Sequence, residues 1–136
     1  MKDYTNAIKH YTSAEIIANA KDTNRLTGVF YFQIGAALER AQRFQESEGY
    51  FEKCIAAAPE FAEALNYLGY MWAERGVNLP QALGLIERAV KLEPKNPAFL
   101  DSLAWALHKL GKHRQALAAM QKAVEYSTEK DATIDR

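Results

Sequence analysis

The sequence predicts an all-α fold, an array of antiparallel helix hairpins with about seven helices in all. Three observations support this prediction: landmarks that recur every 34 or 35 residues, apolar residues spaced three and four apart, and short breaks between the helical segments. A spacing of three and four is the period of a helix with one buried stripe. Each recurring unit is therefore expected to be two helices joined by a turn.

Small residues at fixed places mark the repeat. In the first helices, the residue that follows a Leu or Ile is small and recurs after 34 and then 35 residues: Gly35, Gly69 and Ala104. The second helices have a matching set: Ser47, Ala82 and Ala116. Such residues let two helices approach closely while bulky residues fill the seam. Pro59 and Pro94 close successive units, and Gly76 and Gly111 suit the left-handed turn that ends a helix.

This register divides the chain into five segments. They are 1–27, the second helix of an incomplete repeat with a linker; 28–61, the first full repeat; 62–96, the second, with a one-residue insertion; 97–130, the third; and 131–136, the start of a truncated further repeat. The opening stretch "DYTNAIKHYTSA" aligns with second helices and has no first helix before it. We therefore expect an excerpt from a longer array. An N-terminal capping helix and a frayed tail are the alternative.

The landmarks resemble those of the tetratricopeptide repeat family. The pattern bulky–xx–Leu–Gly–xx–bulky, followed by Ala–xxx–bulky–xx–Ala–xxxx–Pro, is met through most of residues 28–130. The third unit departs from it, with Ala104 for Gly and Thr128 for the closing Pro. "ALNYLGYMWAERGVNLPQALGLIERA" and "DSLAWALHKLGKHRQAL" are most similar to repeats of long bacterial members. The resemblance implies a right-handed superhelical solenoid whose first helices line a concave groove, and a non-catalytic scaffold for protein–protein interaction.

The predicted groove offers six candidate residues for binding a peptide or helix: Phe32, Asn66, Tyr70, Asp101, Trp105 and His108. The hairpin seam is filled from other positions, so large aromatic residues here are available to a partner, and such residues supply much of the energy of interfaces. Asn66 and Asp101 occupy equivalent places and could hydrogen-bond an extended backbone or cap an incoming helix. The aromatic residues could instead pack against the next unit or against flanking units.

Self-association is the alternative function. The helix at residues 3–20 has an apolar face, with Ala7, Ile8 and Tyr11, whose usual cover is expected to be missing. Ile134 marks a second such face near the other end. Exposed apolar faces tend to pair, often symmetrically, so a homodimer is a possible partner arrangement, physiological or caused by truncation.

Composition and motifs argue against other classes. Lys plus Arg and Asp plus Glu both number 17, which leaves no net field to hold nucleic acid. No apolar run approaches the roughly 20 residues of a spanning helix, so no membrane insertion is expected. His108 and His113 are five apart, off the spacing that places two metal ligands on one helix face. No catalytic residue, cofactor or metal is expected, and Cys54 is assigned to packing. The compartment stays open between cytoplasm and periplasm.

Overall fold

The structure is a computed structural model that describes residues 4–21 and 27–134; side chains are described through residue 19 and from 27 to 129. All regular structure in these ranges is helical. The helices are α1 Tyr4–Lys21, α2 Gly28–Arg40, α3 Phe44–Ala57, α4 Ala62–Arg75, α5 Leu79–Leu92, α6 Pro97–Lys109 and α7 His113–Ile134. The predicted all-α fold is confirmed. The chain forms two compact units, Met1–Ala64 and Leu65–Arg136, called the first and second unit below.

In the first unit, small residues hold α2 and α3 close together. A Cβ added to Gly35 would lie 2.8 Å from the Phe51 ring, so this position has room only for glycine. The buried Ser47 hydroxyl donates a hydrogen bond of 2.7 Å to the Gly35 carbonyl oxygen. Glycine and serine therefore stand where the repeat pattern places small residues because the two helices touch there.

The second unit repeats this device between α4 and α5. A Cβ on Gly69 would meet the Ile86 Cγ1 atom at 2.6 Å and the Ala82 carbonyl oxygen at 2.9 Å. The latter is a backbone atom, so the clash could not be relieved by turning a side chain. Ala82 and Ile86 are fully buried.

A glycine lies in the turn after α4 and another in the turn after α6. Gly76 has φ +69° and Gly111 has φ +79°, the left-handed conformation predicted for both. After Gly111, the Lys112 amide donates to the Leu107 carbonyl at 2.9 Å, which satisfies a carbonyl that the end of α6 leaves open. This hydrogen bond and the positive φ of Gly111 fix the position at which α7 begins.

The last helix continues past a predicted boundary. α7 runs to Ile134 without a break at residue 130. The Thr128 hydroxyl donates to the Val124 carbonyl at 2.9 Å within the helix, at the place where earlier repeats have a helix-ending proline. The division at 130 stays a prediction, and residues 22–26 of the expected linker lie outside the described residues.

Candidate functional site

The α1 residues predicted for self-association lie in the core of the first unit. Ile8 is only 3% exposed and belongs to a cluster with apolar side chains of α2. Tyr11 is half-buried, and its ring meets the Phe30 ring edge-on with 6.5 Å between the ring centroids. Ala7 is half-buried too. The prediction that this face lacks a cover is therefore wrong, because α2 covers it. The side chain of Ile134 lies outside the described part of the chain.

Phe32, predicted to face a partner, is engaged in an aromatic cluster of the first unit. Its ring stacks on Phe61 at 5.0 Å and packs against Phe51 at 5.8 Å. The side chain is half-buried. Packing thus accounts for much of its surface.

Asn66 and Tyr70 lie one helical turn apart on α4. The Tyr70 side chain is 43% exposed. The Asn66 Oδ1 atom is buried, and no hydrogen-bond donor among the described residues reaches it. An unpaired buried acceptor costs free energy. The structure thereby sets an exposed aromatic ring beside an amide oxygen that lacks a donor.

The three predicted residues of α6 line one open cavity. Asp101, Trp105 and His108 share a helix face, and the facing wall comes from α7. The volume is about 470 Å³. We call this the α6–α7 cavity, and its complete lining is Asp101, Ala104, Trp105, His108, His113, Ala116, Leu117 and Met120.

His113 was not predicted as a site residue, yet it contacts His108. The two Nδ1 atoms are 3.2 Å apart, a distance at which one imidazole donates to the other. Trp105 stacks on the His108 ring at 5.6 Å, and the Lys109 ammonium lies 5.0 Å from the centre of the Trp105 ring. The turn at Gly111 brings the two histidines together, which helix periodicity alone does not reveal.

Trp105 has two environments. One part of the side chain packs against a buried cluster that includes Ala73, Ile86 and Ala106, and its Nε1 atom is buried without an acceptor among the described residues. Another part lines the α6–α7 cavity. The alternative prediction was that the aromatic residues pack against a neighbouring repeat. It therefore holds for one part of the Trp105 side chain.

An apolar stripe follows the exposed side of α7. Leu117, Met120 and Val124 are 59%, 42% and 60% exposed, and their spacing of three and four places them on one face. The first two also line the cavity, so the cavity opens onto this stripe.

Cys54 has the environment of a packing residue. Its side chain is fully buried in the first unit. Burial, with a smaller contribution from the Glu63 carboxylate, raises the pKa of its thiol to about 11. A thiol that stays protonated and shielded is a poor nucleophile. Among the described residues, no three His, Cys, Asp or Glu side chains lie together as potential metal ligands.

Comparison with known proteins identifies the family. Residues 32–77 and residues 85–118 match two family models, each described as tetratricopeptide repeat. The chain belongs to the tetratricopeptide repeat family. A curated relative, TPR repeat-containing protein PA4667 of Pseudomonas aeruginosa, is 41% identical over 71 residues, which is 52% of this chain and 12% of that protein. The chain thus spans about an eighth of this relative.

Solved structures share the tetratricopeptide repeat fold. MamA superimposes with a TM-score of 0.81 at 19% identity, over 95% of this chain and 71% of MamA. MamA from Desulfovibrio magneticus RS-1 gives 0.78 at 21%, over 95% of this chain and 69% of that one. YrrB, described as a TPR protein with an unusual peptide-binding site, gives 0.69 at 18%, over 90% and 66%. At these identities the likeness shows the fold alone.

Family membership indicates a protein–protein interaction scaffold, because tetratricopeptide repeat proteins bind protein partners and are generally non-catalytic. Within the part of the chain that the structure describes, no helix combines the length and apolarity needed to cross a bilayer.

Proposed function

We propose that this tetratricopeptide repeat chain binds a partner polypeptide, as a peptide or a helix, on its second unit, in the α6–α7 cavity. One observation supports this most directly. Three residues predicted from the sequence, Asp101, Trp105 and His108, line a single open cavity, and Trp105 does so while part of its side chain packs in a buried cluster. Binding sites are typically concave and mainly apolar with a few convergent polar groups, which describes this cavity.

Rigid helices make the cavity suited to binding. Its side chains project from α6 and α7, so little conformational entropy is lost when a partner arrives. Trp105 offers a large aromatic surface whose ring is already held by His108 and Lys109. Preorganised aromatic anchors are the residues that dominate interface energies.

Asn66 and Tyr70 form a second contact in the proposal. Tyr70 gives a partner an exposed ring, and a rotation of the Asn66 side chain would bring its buried oxygen within reach of a partner's N–H group. An extended backbone or the N-terminus of a helix supplies such donors.

Peptide selection on matched variants tests the proposal. A random peptide library is panned on the full chain, and the enriched peptides are titrated against wild type, Leu117→Gln and Leu92→Gln. Leu92, on α5, is also a large exposed apolar residue, but it does not line the cavity. We expect Leu117→Gln to weaken binding about tenfold and Leu92→Gln to leave it within about twofold.

Tyr70→Ala extends the test to α4, where we expect a similar loss if the ring contacts the partner. Enriched peptides that keep full affinity for both Leu117→Gln and Tyr70→Ala would contradict the proposed site.

Self-association is the second candidate, favoured by the exposed stripe of Leu117, Met120 and Val124. Two copies could bury these side chains against each other across a twofold axis. Sedimentation equilibrium tests this candidate: we expect a concentration-dependent dimer that Val124→Gln weakens. A monomer at every concentration reached would eliminate it.

A further inference from the structure

The α6–α7 cavity has a counterpart one repeat earlier, and that counterpart is filled. Ala116, Leu117 and Met120 correspond to Ala82, Leu83 and Ile86, each 34 residues before. Ala82 and Ile86 are fully buried in a cluster to which α6 contributes Leu103, Trp105 and Ala106. α6 thus covers a surface of the α4–α5 hairpin, and the equivalent surface of the α6–α7 hairpin is exposed at Leu117 and Met120.

The filled counterpart defines the shape and direction of an occupant. Ala73 and Ala106, each near the C-terminal end of its helix, belong to the same cluster. The C-terminal ends of α4 and α6 therefore lie beside each other. An occupant held as α6 is held would be a helix with its C-terminal end beside the turn at Gly111.

Two residues distinguish the open cavity from its filled counterpart. His108 and His113 stand where Ala73 and Leu79 stand one repeat earlier. An apolar pair is thus replaced by two imidazoles whose Nδ1 atoms are 3.2 Å apart. An occupant must therefore hydrogen-bond the polar groups at this end. On the α4–α5 hairpin, α6 meets an apolar pair at the equivalent place.

The charges at the same end have one sign. Between His108 and Arg114 the chain carries Lys109, Lys112 and Arg114 and no Asp or Glu. The only acidic residue that lines the cavity is Asp101, two helical turns before His108. The turn end of the cavity therefore complements negative charge, including the negative end of a helix dipole.

We propose that the α6–α7 cavity receives an amphipathic helix of a partner protein, packed as α6 packs on the preceding hairpin, with carboxylates in its last turn. A carboxylate in that turn accepts a hydrogen bond from the one N–H group that the His108–His113 pair leaves free, and lies near Lys109. The inference rests on the proposed function and names the class of partner.

Two synthetic helices provide the probes. The first has the α6 sequence, residues 97–110, and the second carries His108→Glu and Lys109→Glu in that peptide. Both are fluorescently labelled and held helical by a side-chain lactam on the solvent face. Fluorescence anisotropy with the full chain at low salt gives the two dissociation constants. We expect the acidic peptide to bind about tenfold more tightly, and the preference to shrink at high salt.

Charge variants of the protein test whether the turn end of the cavity causes the preference for the acidic peptide. Lys109→Glu with Lys112→Glu should abolish it, because the reversed charges lie at the turn end. Lys91→Glu with Lys122→Glu changes the net charge equally at residues outside the 108–114 segment, and should preserve it. His113→Gln should reduce the preference severalfold, and Leu117→Gln should weaken both peptides alike.

The inference and the proposed function can fail separately. Equal affinity for the two peptides, or a preference that survives Lys109→Glu with Lys112→Glu, overturns the acidic helix. The acidic helix is also overturned if neither helix binds while library peptides still depend on Leu117, and the proposed function then stands. Helix binding that ignores Leu117→Gln overturns the inference as well, because the helix is then bound elsewhere.

Discussion

At the residue scale, the glycines of the second unit have opposite roles. Gly69 lies where α4 meets α5, and an added Cβ would meet Ile86 and the Ala82 backbone well inside contact distance. Gly84 lies within α5, and beyond its own helical backbone and chain neighbours no heavy atom of the described residues lies within 4 Å of such a Cβ. One position requires glycine and the other merely tolerates it.

Alanine substitutions should therefore change stability with opposite sign. We expect Gly69→Ala to lower the free energy of unfolding by about 1–3 kcal/mol through overpacking. Gly84→Ala should raise it by about 0.5–1 kcal/mol, because alanine has the higher helix propensity. Urea unfolding followed by circular dichroism measures both. Equal effects of the two substitutions would mean that α4 and α5 do not approach as described.

The Cys54 thiol gives a prediction about pH. Its pKa is about 11 in the fold against an ordinary 9.0, because burial disfavours the thiolate. A raised pKa means that the neutral form stabilises the fold below pH 9, and that this contribution is lost as the pH rises through 11. The free energy of unfolding of the wild type should then fall more steeply between these values than that of Cys54→Ala.

Reaction with Ellman's reagent provides an independent check on Cys54. The folded chain should react far more slowly than the urea-unfolded chain at mildly alkaline pH, since the thiolate is the reactive form. Equal rates would show that the thiol is accessible in the fold.

The candidate site shows how far sequence reasoning reached. The placement of Asp101, Trp105 and His108 on one helix face could be predicted, because a repeat register places equivalent residues on one face. His113 could not, because its contact with His108 depends on the chain direction set by Gly111, which periodicity within a helix does not describe. Histidines on both sides of a glycine turn were the available signal.

At the element scale, α1 is joined to the first unit by polar as well as apolar contacts. The buried Glu15 carboxylate accepts hydrogen bonds from the Tyr50 hydroxyl at 2.6 Å and the Lys53 ammonium at 3.2 Å, both on α3. Ile8 adds an apolar contact with α2. The apolar pattern of α1 identified its apolar face but could not identify the helix that buries it. That gap explains the incorrect expectation of an uncovered face.

Isoleucines on the two sides of α1 test its role. Ile8→Ala should lower the free energy of unfolding by about 2–5 kcal/mol, because it leaves a cavity between α1 and α2. Ile17→Ala, on the exposed side, should change it by less than about 0.5 kcal/mol. The same denaturation measurement serves both. A small effect of Ile8→Ala would restore the possibility that this face serves a partner.

At the scale of the whole molecule, the repeat explains why the fold was easier to predict than the site. Each hairpin is specified by residues close in sequence, so a 34- or 35-residue register suffices to place its helices. Whether a given hairpin surface is covered depends on which helix follows it. Ile86 and Met120 occupy equivalent positions, yet the first is fully buried and the second is exposed.

The same locality predicts how substitutions combine. Among the described residues, Ile8 packs in a cluster with α2, whereas Gly69 meets Ile86 and Ala82. The effects of Ile8→Val and Gly69→Ala on the free energy of unfolding should therefore add to within about 0.5 kcal/mol.

A touching pair provides the control for additivity. Gly35 lies against the Phe51 ring, so Gly35→Ala should cost less in a Phe51→Leu background, where the smaller side chain makes room for the new methyl group. Calorimetry on both cycles measures the coupling energies. Coupling at Ile8 and Gly69 as large as that at Gly35 and Phe51 would contradict the picture of local hairpins, because it would require strain to pass from the α1–α2 cluster to the contact between α4 and α5.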